Sequence, residues 1–175
     1  MNKENHLIFR APEPTDIDFM YEQENQTDIW RVGHTIVPFS KEFLTRYVFS
    51  CMEDELNVSK QARFIIEDRC LNQNIGILDL FNYDPIHRRA EIGILIVKEH
   101  QNQHYGSKIL EKFFIYAWEI LNLHQIYAEI ASNNLSAYQL FCKTGFQTCA
   151  LKREWFYEKG EWIDLIGFQK LSIEK

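Results

Sequence analysis

Apolar and polar positions along this chain switch between a strand-like and a helix-like period, and the switch is sharpest between Ala90 and Leu123. Ile92 to Val97 form a continuous apolar run. Gln101 to Gly106 interrupt it, and Ile109, Leu110, Phe113, Phe114, Ala117, Trp118, Ile120 and Leu121 then fall on one side of a helix. An apolar run without alternation predicts a strand buried on both faces. The first turn of the following helix carries backbone N–H groups ahead of its hydrogen-bond ladder and the positive end of the helix dipole, so it can hold a diphosphate without a Lys or Arg. The segment therefore predicts a grip on a phosphate-bearing cofactor.

The same reading along the rest of the chain predicts an alternation of strands and helices with no repeat, linker or low-complexity tract. His6 to Arg10 reads as an opening strand, and Pro12 and Pro14 end it before a helix capped by Thr15 or Asp16 and running towards Asn25. Trp30 to Phe39, with Gly33 and Pro38, reads as a loop. Ser40 then caps a helix to about Glu53 with Phe43, Leu44, Tyr47, Val48 and Cys51 on its inner face. Strands are expected at Arg63 to Glu67, Ile75 to Phe81 and Arg89 to Lys98, with turns at Asn72 to Asn74 and Asp84-Pro85. Gln125 to Ala131 predicts another strand, and Leu135 to Thr144 a helix stopped by Gly145. Phe146 to Tyr157 and Trp162 to Gln169 predict a closing hairpin about Lys159-Gly160.

Composition narrows the class. A chain of 175 residues, 46% apolar and 14% aromatic, can fill a single core, so one domain over residues 1–175 is expected. No apolar run reaches membrane-spanning length, and the start MNKENH lacks the apolar segment of a signal peptide, which predicts a cytoplasmic protein with no membrane partner. Cys51, Cys70, Cys142 and Cys149 are dispersed without metal-ligand spacing and read as reduced structural thiols, with no metal site. The net charge of -6 disfavours nucleic acid and favours cationic small molecules. No GxxxxGK[ST] or GxGxxG is present, which argues against the common nucleotide-binding α/β folds.

The stretch Gln101 to Gly106 resembles the acyl-CoA signature of the GNAT acyltransferase superfamily: Gln or Arg, two residues, Gly, one residue, then Gly or Ala. Gln101 and Gly106 match, whereas His104 stands in place of the first Gly. A Cβ there crowds the diphosphate or resists positive φ, although His tolerates left-handed backbone better than most residues. The element order is similar to the GNAT arrangement from end to end, and Asn134 followed by a helix ending in FCKTGF is similar to the family's Asn to LGF segment. His87 to Ile94, HRRAEIGI, resembles the branch holding spermidine acetyltransferases and acetyltransferases of ribosomal-protein N-termini. IWRVGHTIVPFS and DLFNYDPIHRRA look close to GNAT proteins of the Bacteroidetes.

The resemblance implies an α/β (α+β) fold: a central mixed, mostly antiparallel sheet of about seven strands with about four helices, splayed between the fourth and fifth strands. It implies acetyl transfer from acetyl-CoA to an amine by direct attack in a ternary complex. Ile94, Leu95, Ile96 and Val97 would offer backbone groups to the pantetheine. Gln101, Asn102, Gln103, His104, Tyr105, Gly106 and Ser107 would bind the diphosphate, with Asn134 and Phe141 beside the cofactor.

Chemistry adds a second requirement. An alkyl amine with pKa of about 10.4 needs roughly 4 to 5 kcal/mol to be deprotonated at neutral pH, so a base or water chain is expected. Glu91 is the first candidate, flanked by Ala90 and Ile92 that would partly desolvate it; the alternative is an ion pair with Arg88 or Arg89. Glu129 is the second candidate, and Asp79 reads as a network carboxylate. Many relatives carry a Tyr, as acid for the CoA thiolate, four residues before the Gly of the LGF-like segment. Phe141 occupies that place, which leaves Tyr138, one turn earlier, as the candidate acid. Trp30, His34, Trp155, Tyr157, Trp162 and Asp164 are placed around the acceptor, where aromatic walls and a carboxylate suit a cationic amine; packing at the sheet edge is the other reading of each aromatic. The expected function is N-acetylation of a polyamine, another small amine or a protein N-terminus. The competing reading is a non-catalytic acyl-CoA-binding or sensor module, which His104 and Phe141 favour. A homodimer is left open by the sheet edges and the aromatic hairpin.

Overall fold

The computed structural model describes residues 6–27, 37–53 and 55–172. Seven strands form one sheet in the order β1-β2-β3-β4-β5-β7-β6: β1 Leu7–Arg10, β2 Ala62–Asp68, β3 Gln73–Asp84, β4 Arg89–Ile96, β5 Gln125–Ala131, β6 Gln147–Glu158 and β7 Glu161–Leu171. Among the described residues five α-helices accompany it: α1 Ile17–Glu24, α2 Lys41–Glu53, α3 Leu56–Ser59, α4 Tyr105–Ile115 and α5 Leu135–Lys143. The pairs β1·β2, β5·β7 and β6·β7 are antiparallel and β4·β5 is parallel, which is the mixed sheet expected. The parallel register covers Arg89, Ala90 and Glu91 against Gln125, Ile126 and Tyr127, although β4 runs on to Ile96 and β5 to Ala131. A register that stops this early fits the expected splay. The chain separates into two compact units, Met1–Asp79 with Ile94–His100, and Leu80–Gly93 with Gln101–Lys175, and β3 and β4 each contribute to both.

In the first unit, Met20, Leu44, Val48, Ile65 and Ile77 form a buried core, with Ile17, Phe19, Phe39, Tyr47 and Leu95 packed against it. Asn25 joins the end of α1 to the approach of α2 by donating to the Phe39 carbonyl and accepting from its N–H, at 3.0 and 2.8 Å. Ser40 caps α2 as expected, its hydroxyl accepting from Phe43 N–H at 3.1 Å. Phe43 itself departs from the expected inner face. It is 44% exposed and stacks on Phe39, because the buried stripe of this helix is only as wide as Leu44 and Val48. Asp16 also departs from a simple cap. Its carboxylate accepts from both terminal nitrogens of Arg10 at 2.6 and 2.8 Å, and from Glu13 N–H and the Asn74 amide, tying β1 to β3. The short helix α3 was not expected, since four residues carry no readable period.

In the second unit, Ile109, Leu110, Phe113, Phe114 and Ala117 are buried as predicted. Ile120 is 70% exposed instead. A π turn over Tyr116–Ile120, with Leu121 N–H donating to the Tyr116 carbonyl, widens the coil and shifts the phase by a residue, so Leu123 is buried in its stead. The prediction of a regular period to Leu121 fails there for that reason. Lys98 falls in a 3-10 turn and not in β4. Gly145 ends α5 at φ 85, and Lys159 and Gly160, at φ 50 and 90, make the two-residue hairpin whose positive φ values match the strand twist.

Candidate active site

The loop between β4 and α4 owes its shape to two left-handed residues. Asn102 has φ 59 and His104 φ 64, with His104 at the N-cap of α4. His104 thus adopts a left-handed conformation despite its Cβ, which an imidazole side chain permits more readily than a β-branched one. Its Nδ1 lies 3.2 Å from Lys143 Nζ at the end of α5. The ring is therefore drawn towards α5. The helical ladder of α4 opens with Lys108 N–H on the His104 carbonyl, so the amides of Gly106 and Ser107 lie ahead of it. Gln101, Asn102, Gln103 and His104 are exposed, Tyr105 and Ser107 partly so, and Gly106 is buried. Ile94, Leu95 and Ile96 are half-buried and Val97 is buried, with Val97 N–H donating to the Ile75 carbonyl at 3.0 Å.

Glu91 does not pair with either neighbouring arginine. Arg88 donates to Asn122, and Arg89 lies 3.4 Å from Asp84. The Glu91 carboxylate accepts instead from the Asn82 amide on β3 at 2.8 Å, where Asn82 takes φ 48 within the strand. Tyr127, the register partner of Glu91 on β5, completes the group. Partial burial and then the Glu91 charge push the Tyr127 hydroxyl above the usual tyrosine range, while Asn82 and Arg89 pull it the other way. Neither Asn82 nor Tyr127 was singled out from the sequence. The alternation of Tyr127 and Glu129 with buried Ile126, Ala128 and Ile130 was the available signal, because it puts both polar residues on the face of Glu91.

Glu129 is held by Lys152, with Nζ 2.7 and 3.0 Å from its two oxygens. Asp79 is a network carboxylate as read: it binds Arg63 through two hydrogen bonds of 2.6 and 2.8 Å, and Arg63 also reaches Glu24. Burial alone would lower the Arg63 pKa, but the charge and hydrogen bonds of Asp79 outweigh it and hold the guanidinium above its usual range. Asp164 serves the hairpin, its Oδ1 accepting from Glu154 N–H at 2.8 Å where β6 bulges. Trp155, Tyr157 and Trp162 are exposed, and the last two rings sit 5.0 Å apart. Trp30 and His34 lie outside the described residues.

Around α5, Asn134 caps the helix by accepting from Ala137 N–H. Phe141 is a core side chain at 2% exposure, packed on Phe146 and Phe168. Tyr138 is 37% exposed and sets its ring edge against Phe168. A phenol at the Phe141 position would meet an apolar, closed environment here, whereas Tyr138 keeps part of its surface open. Among the described residues no group of three His, Cys, Asp or Glu side chains is placed to hold a metal ion, and no helix is long and apolar enough to cross a membrane.

Known proteins share this fold. The family model for the acetyltransferase (GNAT) domain matches residues 6–147. Spermidine N(1)-acetyltransferase of Vibrio cholerae is 29% identical over 161 residues, covering 92% of this chain and 90% of that protein. The Escherichia coli spermidine N(1)-acetyltransferase is 23% identical over 167 residues, covering 95% and 86%. The crystal structure of the Vibrio cholerae enzyme in complex with CoA and spermine superposes with a TM-score of 0.84 over 95% of each chain at 29% identity. The chain belongs to the GNAT acetyltransferase family and is an acetyl-CoA-dependent N-acetyltransferase.

Proposed function

We propose that the acceptor is a polyamine or another alkyl diamine. The observation that carries this reading is the likeness, over nearly the full length of both chains, to a spermidine acetyltransferase crystallised with CoA and spermine. The formal charge of -6 and the carboxylates Glu91 and Glu129 on one sheet face support it, since a polycation gains from both the overall field and local pairing.

The loop Gln101 to Ser107 fits a coenzyme diphosphate: left-handed His104 turns the chain, and the Gly106 and Ser107 amides precede the helical ladder. Ile94, Leu95 and Ile96 are assigned to the pantetheine through their backbone, with Asn134 near it; the expected contacts of Val97 and Phe141 are corrected, because the Val97 N–H and carbonyl are taken by Ile75 and His100 and the Phe141 ring is closed in the core. When bound, acetyl-CoA supplies an activated thioester. Glu91, oriented by Asn82, takes the proton from the acceptor ammonium, and the amine lone pair so released is the nucleophile. Tyr138 is the candidate proton donor to the departing thiolate. Trp155, Tyr157, Trp162 and Asp164 remain assigned to the acceptor side, Asp164 through the backbone it fixes. The hairpin at the β6 edge, with exposed Trp155, Tyr157 and Trp162, suits self-association as a homodimer; a relative from Vibrio cholerae has been solved as a dodecamer. A cytoplasmic setting suits four cysteines of which none forms a disulfide.

Initial rates of CoA thiol release across polyamines, amino acids, aminoglycosides and peptide N-termini test the assignment. Spermidine or spermine should give the highest kcat/KM. A peptide N-terminus or a monoamine at the top of the panel would overturn the polyamine reading.

A further inference from the structure

Lys152 and Trp155 are three residues apart on β6, a spacing that would send them to opposite faces of a regular strand. A bulge between Lys152 and Phe156 changes this. Glu154 turns at φ 51, its N–H is latched by Asp164 Oδ1, and the Lys152 ammonium comes to lie 4.6 Å from the centre of the Trp155 ring. The same ammonium crosses β7 to reach both oxygens of Glu129 at 2.7 and 3.0 Å. It passes Gly167, the register partner of both Glu129 and Ala150, so no side chain blocks the way. A carboxylate and an indole face converging on one ammonium are the two elements of a cation-recognition site.

Glu129 lies one strand over and two residues along from Glu91, whose register partner is Tyr127. Strand spacing and rise put the two Cα atoms about 8 Å apart, a span that two amines separated by a few methylenes can bridge. We propose that Glu129 and Trp155 form an ammonium subsite for the second charge of a di- or polyamine, and that Lys152 fills this subsite in the unliganded chain as a built-in competitor. The inference rests on the polyamine reading of the acceptor.

The competitor is weakly held. The Lys152 and Glu129 side chains are 37% and 33% exposed, which places the pair among partly solvated ion pairs of modest strength. A ligand ammonium can therefore replace it, and removing it should improve acceptor binding by about twofold to fivefold. Lys152→Met keeps the stem and deletes the charge, so KM for spermidine and its calorimetric Kd should both fall by that factor, while KM and Kd for hexylamine, which has no second ammonium, stay within error. Trp155→Leu should move the spermidine values the other way. Unchanged or weakened spermidine binding in Lys152→Met, or an equal gain for hexylamine, would overturn the subsite. Calorimetry reads this without turnover, so a wild-type chain that binds spermidine yet acetylates a different acceptor would count against the polyamine assignment and leave the subsite result standing on its own.

Discussion

At the level of single residues, Glu91 is held from two strands. Its carboxylate faces the Asn82 amide, with Tyr127 as its register partner, so the carboxylate proposed as the base has a fixed direction. Glu91→Gln should therefore lower kcat by at least about a hundredfold, the usual range for a general base, while the Kd for CoA measured by calorimetry stays nearly constant. Unchanged turnover would remove Glu91 from the mechanism. Asn82→Gly is a sharper probe, because Gly accepts φ 48 without strain while deleting the amide. A loss of roughly tenfold in kcat with Tm preserved is the expected result for a charge-assisted hydrogen bond removed from the proposed base. The candidacy of Glu91 was legible in the sequence from its place before the apolar run, and the loss of a Tyr at Phe141 from its spacing to Gly145. Asn82, Lys152 and the latch by Asp164 were not, since each depends on a left-handed residue or bulge that no local period announces.

At the scale of elements, the loop before α4 is where sequence pattern and geometry meet. His104 breaks the family pattern as a residue type and takes left-handed backbone, at φ 64. His104→Gly should retain coenzyme affinity, whereas His104→Val, whose branched Cβ resists left-handed φ, should weaken the CoA Kd by about tenfold or more. Equal affinity in the two variants would contradict the role given to this turn. The order of strands and helices was readable because caps and turn residues are local: Ser40, Gly145 and Lys159-Gly160 all end or begin elements where expected. The π turn at Tyr116–Ile120 was not, because it keeps the helix-forming composition while changing the hydrogen-bond partner from four residues to five.

At the scale of the molecule, the strands are joined by buried polar ties as well as by apolar packing. Asp16 is buried, and burial alone would raise its pKa; hydrogen bonds from Arg10 and from Glu13 N–H outweigh that and hold it below the usual aspartate range. A depressed carboxylate contributes stability that is present above its unfolded pKa and is lost as pH falls through the folded value. Asp16→Asn should lower Tm at pH 7, and the difference from wild type should shrink below about pH 4 as the wild-type carboxylate takes up its proton. A difference that does not vary with pH would assign Asp16 a packing role only.

If main-chain amides of the Gln101 to Ser107 loop hold the coenzyme while Glu91 faces the acceptor, a crystal structure with CoA and spermine will show both contacts. The diphosphate oxygens should lie within hydrogen-bond distance of the amides from His104 to Ser107, with one amine of spermine at Glu91. Coenzyme bound away from this loop, or a His104 ring filling the space of the diphosphate, would contradict the account.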